Sequence, residues 1–485
     1  MRHIVKKKKD KITLEEIGGN CEGVTGSCTS IKFNKRHILF ECGGIQDGRT
    51  VLENYSLNKA MTSKIKPQDI EYIFIGHCHY DHIGNIVTLF ATGKCNAKII
   101  APEGSTQILK EMWLDSAYIN QRDTEQLSLR TGKEYLPLYT ESDVLNTLSH
   151  VFEYAPNVIH QLDDQISFRF IPSGHILCSQ QMELFLKDSS SHIKKIVFTS
   201  DLGNTLTQDS RIFVENFQPI EKANIVIGEC TYAARGTSMS KKDLQKDIEK
   251  IRSVITQYCL DSRNRVLIPS FSLDRMAYIL WILYKLFGSD QSFKVPILVD
   301  SPLAIRLLQC YSSILSGEAK EKYDEMMKWK NIKLIITPED SKAAIIDNRP
   351  KVICSSSGML TAGRSIKWTQ SILPHSNDCI LFIGYAGADT LAYKIKHNRK
   401  QKTININGKP CKNNCQIVDL KSFSSHMQRN ELLNYYKNFN CDKICLVHSD
   451  KNSRLEFKED LEAVLSKCCK TTRVIAVNRS TKISL

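Results

Sequence analysis

"FIGHCHYDHIGN", Phe74 to Asn85, sets three histidines and an aspartate within six positions of a chain that holds 13 histidines in 485 residues. Packing gives no reason to crowd imidazoles in this way, whereas metal binding does. The apolar run "IEYIFI" just before it reads as a strand, so the polar residues fall where that strand ends. Histidines two positions apart on an extended segment face the same way, and His77 and His79 can therefore reach one ion. Asp81 and His82 then turn toward a neighbouring position. Imidazole and carboxylate donors at about 2 Å suit zinc. One segment feeding two adjacent positions implies two ions about 3.5–4 Å apart. Cys78 points away from its histidine neighbours and is expected to pack rather than ligate.

Outward from this stretch, short apolar runs alternate with turns from Cys28 to about Asp201: "HILFECGG", "AKIIAPEG", "QISFRFIPSG", "KKIVFTSDLGN". Helical stretches such as "TQILKEMWLDSAYINQR" interleave, a pattern that predicts an α/β sandwich. From about Gly236 the texture changes. "SKKDLQKDIEKIRSVITQYCLDS" has helical apolar spacing, "NRVLIPSF" reads as a strand and "LDRMAYILWILYKLF" as a buried helix. Further apolar runs in "VPILVDSP", "PKVICSSSG" and "DCILFIGYAG" stop at small or polar residues, as parallel strands do at a ligand crevice. A second α/β domain is expected here, up to about Tyr393. The tail returns to strand-like runs in "QIVDLKSF" and "KICLVHSD".

At 42% hydrophobic and 24% charged residues the composition is that of a globular protein, and the length suits two or three domains. No apolar run approaches the ~20 residues that span a bilayer, and the first residues lack the apolar core of a secretory signal. The 17 cysteines are scattered, mostly in apolar runs, and read as reduced thiols of an intracellular protein. "PCKNNCQ" and "KCCK" do not make a four-ligand zinc spacing, so any zinc must be held by histidine and carboxylate. A net charge of +14 favours polyanionic partners. "KKKK" at Lys6 to Lys9 reads as a solvated terminus, with a nuclear address or RNA-binding arm as the alternative.

"HCHYDH" resembles the second signature of the metallo-β-lactamase superfamily, and further signatures follow in order. "IPSGHILCS" offers His175 and "FTSDLGN" offers Asp201. The resemblance implies that His175 completes the shell of the first ion and that Asp201 bridges both. Glu41 in "ILFECGG" stands where the superfamily usually has the aspartate that orients the ligand loop. The rest of the chain resembles the β-CASP branch, whose members process nucleic acids. "GECTYAARG" carries its acidic residue, Glu229, while "IPSFSLDRM", "LVDSPLA", "CSSSGMLTAG" and "GYAGADTLAYKI" resemble its inserted domain. "SFSSHMQ" resembles its closing motif and "LVHSD" follows. The resemblance extends from "GNCEGVTGSC" to "LVHSD" and is closest to compact prokaryotic-type members, similar to the cleavage and polyadenylation specificity factor endonucleases.

That resemblance implies an α/β fold, a metallo-β-lactamase αββα sandwich with an inserted α/β β-CASP domain. The expected divisions are 1–233 for the first part of the sandwich, 234–393 for the insertion and 394–485 for the returning part. His426 is implied as the last ligand of the second ion, and a histidine at the closing motif marks RNA-directed members. "DTLAYKI" puts Lys394 where the branch has a histidine that assists the leaving group beside the residue matching Glu229. His397 lies one helical turn on, and lysine would need a lowered pKa to act as the acid. The implied activity is zinc-dependent hydrolysis of RNA phosphodiester bonds by a hydroxide activated by two Zn2+, with Mn2+ able to substitute. The substrate is expected to be single-stranded RNA, cut internally, from the 5′ end, or both.

Asp81 and Asp201 would orient the nucleophile, and Glu229 with Lys394 or His397 would serve the leaving side. Arg275, Ser301, Ser357, Gly358 and Lys394 would hold flanking phosphates. The expected setting is cytoplasmic, or nuclear in a eukaryote, without a membrane; a homodimer is compatible with it. Two other readings stand beside this one: a small-molecule metallo-hydrolase and a non-catalytic RNA-binding partner.

Overall fold

The computed structural model describes residues 11–19, 23–46, 50–234, 236, 239–479 and 481–484, so the lysine run Lys6 to Lys9 lies outside the described residues. The chain forms two compact units. One comprises the described residues of Met1–Thr205, Glu215–Ser238 and His426–Leu485, the other those of Leu206–Val214 and Met239–Ser425.

Two seven-stranded sheets build the first unit. One contains β1 (Ile12–Glu16), β2 (Thr29–Phe33), β3 (Arg36–Phe40), β4 (Ile70–Phe74), β5 (Lys98–Pro102) and β6 (Val151–Tyr154) in sequence order, with β22 (Lys482–Ser484) beside β1. The other contains β7 (His160–Gln161), β8 (Ile166–Pro172), β9 (Gln180–Lys187), β10 (Ile193–Phe198), β11 (Ile225–Glu229), β20 (Lys443–Val447) and β21 (Arg473–Ala476). Its order is β21-β20-β11-β10-β9-β8-β7. The strands β8 and β10 are both antiparallel to β9, and β10, β11 and β20 are parallel neighbours. Hence β8, β10, β11 and β20 run one way and end on one edge.

Alternation along β8 turns Ile166, Phe168 and Phe170 inward, where they share a core with Phe40 and Phe74 of the first sheet and Phe198 of the second. The Phe40 and Phe198 rings stack at 4.3 Å. Burying each such side chain contributes about 1.5–3 kcal/mol. Helices Arg429–Asn438 and Lys451–Lys467 cover the outer face of the second sheet through Leu432, Tyr436, Phe457 and Leu461. On the side of the first sheet, Trp113 of helix Ser105–Thr131 is fully buried and donates its Nε1–H to Ile83 O at 3.1 Å. The predicted sandwich of sheets flanked by helices is present.

The second unit is built on a six-stranded sheet in the order β14 (Ile332–Leu334), β13 (Ile297–Asp300), β15 (Lys351–Ser355), β12 (Arg265–Pro269), β16 (Cys379–Phe382), β19 (Gln416–Asp419). Every pairing in it is parallel. All residues of β12 and β15 are buried, as expected of strands covered on both faces. The buried Arg265 side chain is held by Asp378 through Nε at 3.0 Å and Nη2 at 2.5 Å. The excursion 206–214 joins this unit through Arg211, whose Nη2 is 2.8 Å from Asp274 Oδ2. A hairpin of β17 (Thr403–Ile406) and β18 (Lys409–Lys412) precedes β19. Residues 394–425, which the sequence reading joined to the returning part of the sandwich, belong to this second unit, because β19 pairs with β16.

Candidate metal centre

The carboxyl ends of strands deliver nearly every polar side chain of the site. Glu41 follows β3, His77 follows β4 by a short loop, His175 follows β8, Asp201 follows β10, Glu229 ends β11 and His448 follows β20. The loop after β4 runs extended to His79, then enters the short helix Tyr80–Ile83 that carries Asp81 and His82. Two glycines let the main chains close around these loops. A Cβ on Gly43 would lie 1.6 Å from Asp81 O, and one on Gly203 would lie 2.0 Å from Gly174 C. Cys78 is fully buried, in keeping with a packing role.

Two donor sets result. In the first, His79 Nδ1 is 3.1 Å from His77 Nε2 and 3.3 Å from His175 Nε2, and Asp201 Oδ2 is 3.5 Å from both His77 Nε2 and His175 Nε2. These are the edges of a tetrahedron: ligands about 2.0–2.2 Å from a zinc ion lie about 3.3–3.6 Å from one another. In the second, His82 Nε2 is 3.4 Å from Asp201 Oδ1 and 3.6 Å from Asp81 Oδ2, while His448 Nε2 is 3.4 Å from the same Asp81 oxygen. Asp201 thus turns one oxygen to each set. Three atoms of the second set, His82 Nε2, Asp201 Oδ1 and His448 Nε2, are buried without a hydrogen bond. Such orphaned donors and acceptors are costly in a folded interior unless something fills the space between them. The donor chemistry and spacing fit zinc.

Glu41 explains how the imidazoles are aimed. Its Oε2 accepts from Ser27 Oγ at 2.6 Å and lies 2.6 Å from His82 Nδ1; its Oε1 accepts from Ser200 Oγ at 2.8 Å. Ser200 Oγ in turn lies 2.9 Å from His77 Nδ1. A carboxylate only accepts, so Nδ1 of His82 carries its proton, and the relay through Ser200 sets the same tautomer on His77. Both rings then turn Nε2 toward Asp201. The glutamate reaches two ligands, one directly and one through a serine.

Electrostatics keeps the carboxylates ionised. Burial alone would raise the pKa of Asp201, but His448, His82, His77 and His426 surround it and hold it well below the usual range. Burial likewise opposes the charge on Asp81, and His82 and His448 bring its pKa below the ordinary value. His77 is pushed well down, first by burial and then by His82. For His82, burial is outweighed by Glu41, Asp201 and Asp81, and its pKa rises well above the ordinary value. His448 is also raised, burial being overcome by Asp201 and Asp81.

His77, His79, Asp81, His82, His175 and Asp201 are therefore brought together as the sequence suggested. His426 is not where that reading put it. Its Nδ1 lies 3.4 Å from Glu229 Oε1 and its Nε2 is 3.9 Å from Asp201 Oδ2, whereas the histidine beside Asp81 and His82 is His448. The reason is topological: β20 is the parallel neighbour of β11 and ends at the site, while His426 reaches it through an isolated bridge to Gly203. Glu229 is fixed by Leu202 N–H at 3.0 Å and Thr231 N–H at 2.7 Å. The imidazole paired with it is His426, where the sequence reading expected Lys394 or His397. The signal for His448 was present in "KICLVHSD", an apolar strand ending in histidine.

The remaining expected residues lie in the second unit. Lys394 and His397 are exposed on helix Leu391–His397, with the His397 ring stacked 3.9 Å from that of Tyr393. Arg275 is buried and donates from Nη1 to Ile383 O at 2.7 Å. Ser301 caps helix Pro302–Ile314, its Oγ accepting from Ala304 N–H at 3.3 Å. Ser357 Oγ accepts from Thr361 N–H at 2.9 Å, and Gly358 follows it beyond β15.

Comparison with known proteins agrees with both units. The model of the metallo-β-lactamase superfamily matches residues 22–161, that of the β-CASP domain matches 276–395, and that of the Zn-dependent metallo-hydrolase RNA specificity domain matches 412–469. Transcription termination factor FttA of Methanocaldococcus jannaschii is 24% identical over 96% of this chain and 71% of its own length. Ribonuclease TTHA0252 of Thermus thermophilus is 24% identical over 90% of this chain and 93% of its own. Cleavage and polyadenylation specificity factor subunit 3-II of Arabidopsis thaliana is 25% identical over 91% of this chain and 68% of its own. A protein of unknown function from Enterococcus faecalis V583, 11% identical, shares the fold with a TM-score of 0.56 over 98% of this chain and 100% of that one. Among the described residues no helix is long and apolar enough to cross a membrane. The chain belongs to the β-CASP branch of the metallo-β-lactamase superfamily, a ribonuclease family of zinc-dependent metallo-hydrolases.

Proposed function

We propose that the chain hydrolyses phosphodiester bonds of single-stranded RNA at a centre that holds two zinc ions, or manganese in their place. The observation that carries this reading is Asp201, which turns one carboxylate oxygen to each of two adjacent donor sets. His77, His79, His175 and Asp201 would hold one ion, and Asp81, His82, His448 and Asp201 the other. When bound, the ions supply Lewis acidity and a water of lowered pKa. Asp81 and Asp201 would orient the attacking water. His426, paired with Glu229 at 3.4 Å and the more exposed of the two, gives its proton to the departing 3′ oxygen. Glu229 stabilises the imidazolium and fixes its ring, a positioning role familiar in acid catalysis. Arg275, Ser301, Ser357, Gly358 and Lys394 serve flanking phosphates, Arg275 and Ser301 by shaping the loops that bind them.

Cleavage of one single-stranded RNA, labelled separately at each end, against its DNA counterpart tests the proposal. Zinc-dependent, RNA-selective cutting that is lost in an Asp81→Asn/His82→Ala variant supports it, and the product ladder separates internal from 5′-end attack. Wild-type cutting by that variant would refute the metal assignment. Turnover of a lactam or thioester without RNA cleavage would favour a small-molecule hydrolase.

A further inference from the structure

Residues 390–418 carry seven of the chain's lysines and arginines and no acidic residue, which is half of the net charge of +14. Lys396 is neutralised by Asp419 at 2.7 Å. The other six, Lys394, Arg399, Lys400, Lys402, Lys409 and Lys412, are exposed. None makes an ion pair among the described residues; Arg399 bonds only neutral groups, Asn413 Oδ1 at 2.9 Å and Cys415 O at 2.7 Å. Elsewhere in the same unit some cations do sit beside acids, as in Lys320–Asp324, Lys322–Glu318 and Lys246–Asp243. Within residues 390–418 the exposed cations follow one another with no acid between them.

The segment is also held in regular structure. Asn407 and Gly408 have φ of 53° and 81°, the paired positive values of a tight hairpin turn. Ile404 and Ile406 are buried in one cluster with Ala392 and Ile395 of the preceding helix, so helix and hairpin form one platform. Lys402 and Lys412 lie at the same end of the hairpin, where Thr403 pairs with Lys412 and Asn413 N–H donates to Lys402 O at 2.9 Å. The exposed residues between the cations are His, Asn, Gln, Thr, Gly and Pro, with no large apolar side chain, which suits neither membrane insertion nor an apolar protein interface. The stacked Tyr393–His397 pair adds a π-face among the charges, and aromatic faces beside cations hold bases and phosphates of single strands.

We propose that this platform, helix Leu391–His397 with the hairpin β17–β18, is a docking surface for the phosphate backbone of single-stranded RNA. It rests on RNA being the substrate class and adds a binding element outside the metal centre. Each lysine–phosphate contact with a single strand contributes about 0.7 to the salt slope of binding.

The test is fluorescence anisotropy of a labelled 20-nucleotide RNA across a potassium chloride series, in the Asp81→Asn/His82→Ala background to keep the RNA intact. Lys400→Gln/Lys402→Gln/Lys409→Gln/Lys412→Gln should lower the slope by about 3 and weaken binding at least roughly tenfold at 0.1 M salt. The same four positions changed to Arg should keep the slope, which separates charge from misfolding. A control quartet, Lys241→Gln/Lys246→Gln/Lys320→Gln/Lys322→Gln, should change it little. Equal losses from both quartets, an unchanged slope in the first, or competition by polyglutamate as strong as by RNA would overturn the inference. Cleavage by the otherwise wild-type protein is read separately: hairpin-dependent binding without any cutting would sink the nuclease reading and leave this surface standing.

Discussion

Changing Glu41 to Gln keeps the shape of the side chain and removes its charge. The native carboxylate accepts from Ser27 and His82 at 2.6 Å and from Ser200 at 2.8 Å, all in a fully buried position. An amide has one oxygen and one nitrogen. If the oxygen stays toward His82, the NH2 meets Ser200, whose hydroxyl proton then has no acceptor while its oxygen still serves His77. If it turns the other way, two donors face each other at His82. Either arrangement forfeits one charge-assisted hydrogen bond, about 1.5–3 kcal/mol. At about 2 kcal/mol, zinc affinity falls roughly 30-fold, within the 10–100-fold range for partners that orient metal ligands. The assay is competition for zinc against a chromogenic chelator, at constant pH and with the fold checked by circular dichroism. Wild-type affinity in Glu41→Gln would refute the tautomer argument. Glu41→Asp separates reach from charge: it retains the charge, but one methylene less cannot span both contacts, and its affinity should also drop.

His448→Ala should lose zinc from the set it forms with Asp81 and His82, whereas His426→Ala should keep full zinc content and lose about 10²–10⁴-fold in turnover; metal analysis alongside single-turnover cleavage distinguishes the two roles. Asp378→Ala leaves the buried Arg265 guanidinium unpaired and should cost about 3–5 kcal/mol of stability in the second unit, read by denaturant unfolding. Without metal, the raised His82 and His448 contribute stability that is full below their unfolded value of 6.5 and is lost as pH rises through their folded values. The lowered Asp81 and Asp201 contribute stability that is present above 3.8 and is lost as pH falls through their folded values. The lowered His77 acts the other way, its contribution being lost as pH falls below 6.5, so the metal-free protein should melt highest near about pH 6.5, and zinc should extend that maximum upward, because it replaces the protons on His82 and His448.

The metal loop was legible because its ligands are contiguous: four donors on one strand end need no tertiary knowledge. His175, Asp201 and Glu229 were legible as polar residues closing apolar strands, once the order of motifs suggested where to look. His448 obeys the same rule, yet the Ser-rich "SFSSHMQ" drew the assignment to His426. Which of the two reaches Asp81 depends on β20 lying next to β11, a pairing between strands more than 200 residues apart that no local pattern encodes. The reach of Glu41 was likewise hidden, since its partners Ser27 and Ser200 are unremarkable serines in the sequence. Residues 394–425 were assigned elsewhere because "QIVDLKSF" reads as a strand without saying which sheet it joins.

The donors enter the site in chain order, from Glu41 through the loop of His77 to His82, then His175, Asp201, Glu229, His426 and finally His448. A growing polypeptide consequently passes through a long stage in which every donor of the first set has been made and the second lacks its last imidazole. Only after β20 has been synthesised and inserted beside β11 can the second set close.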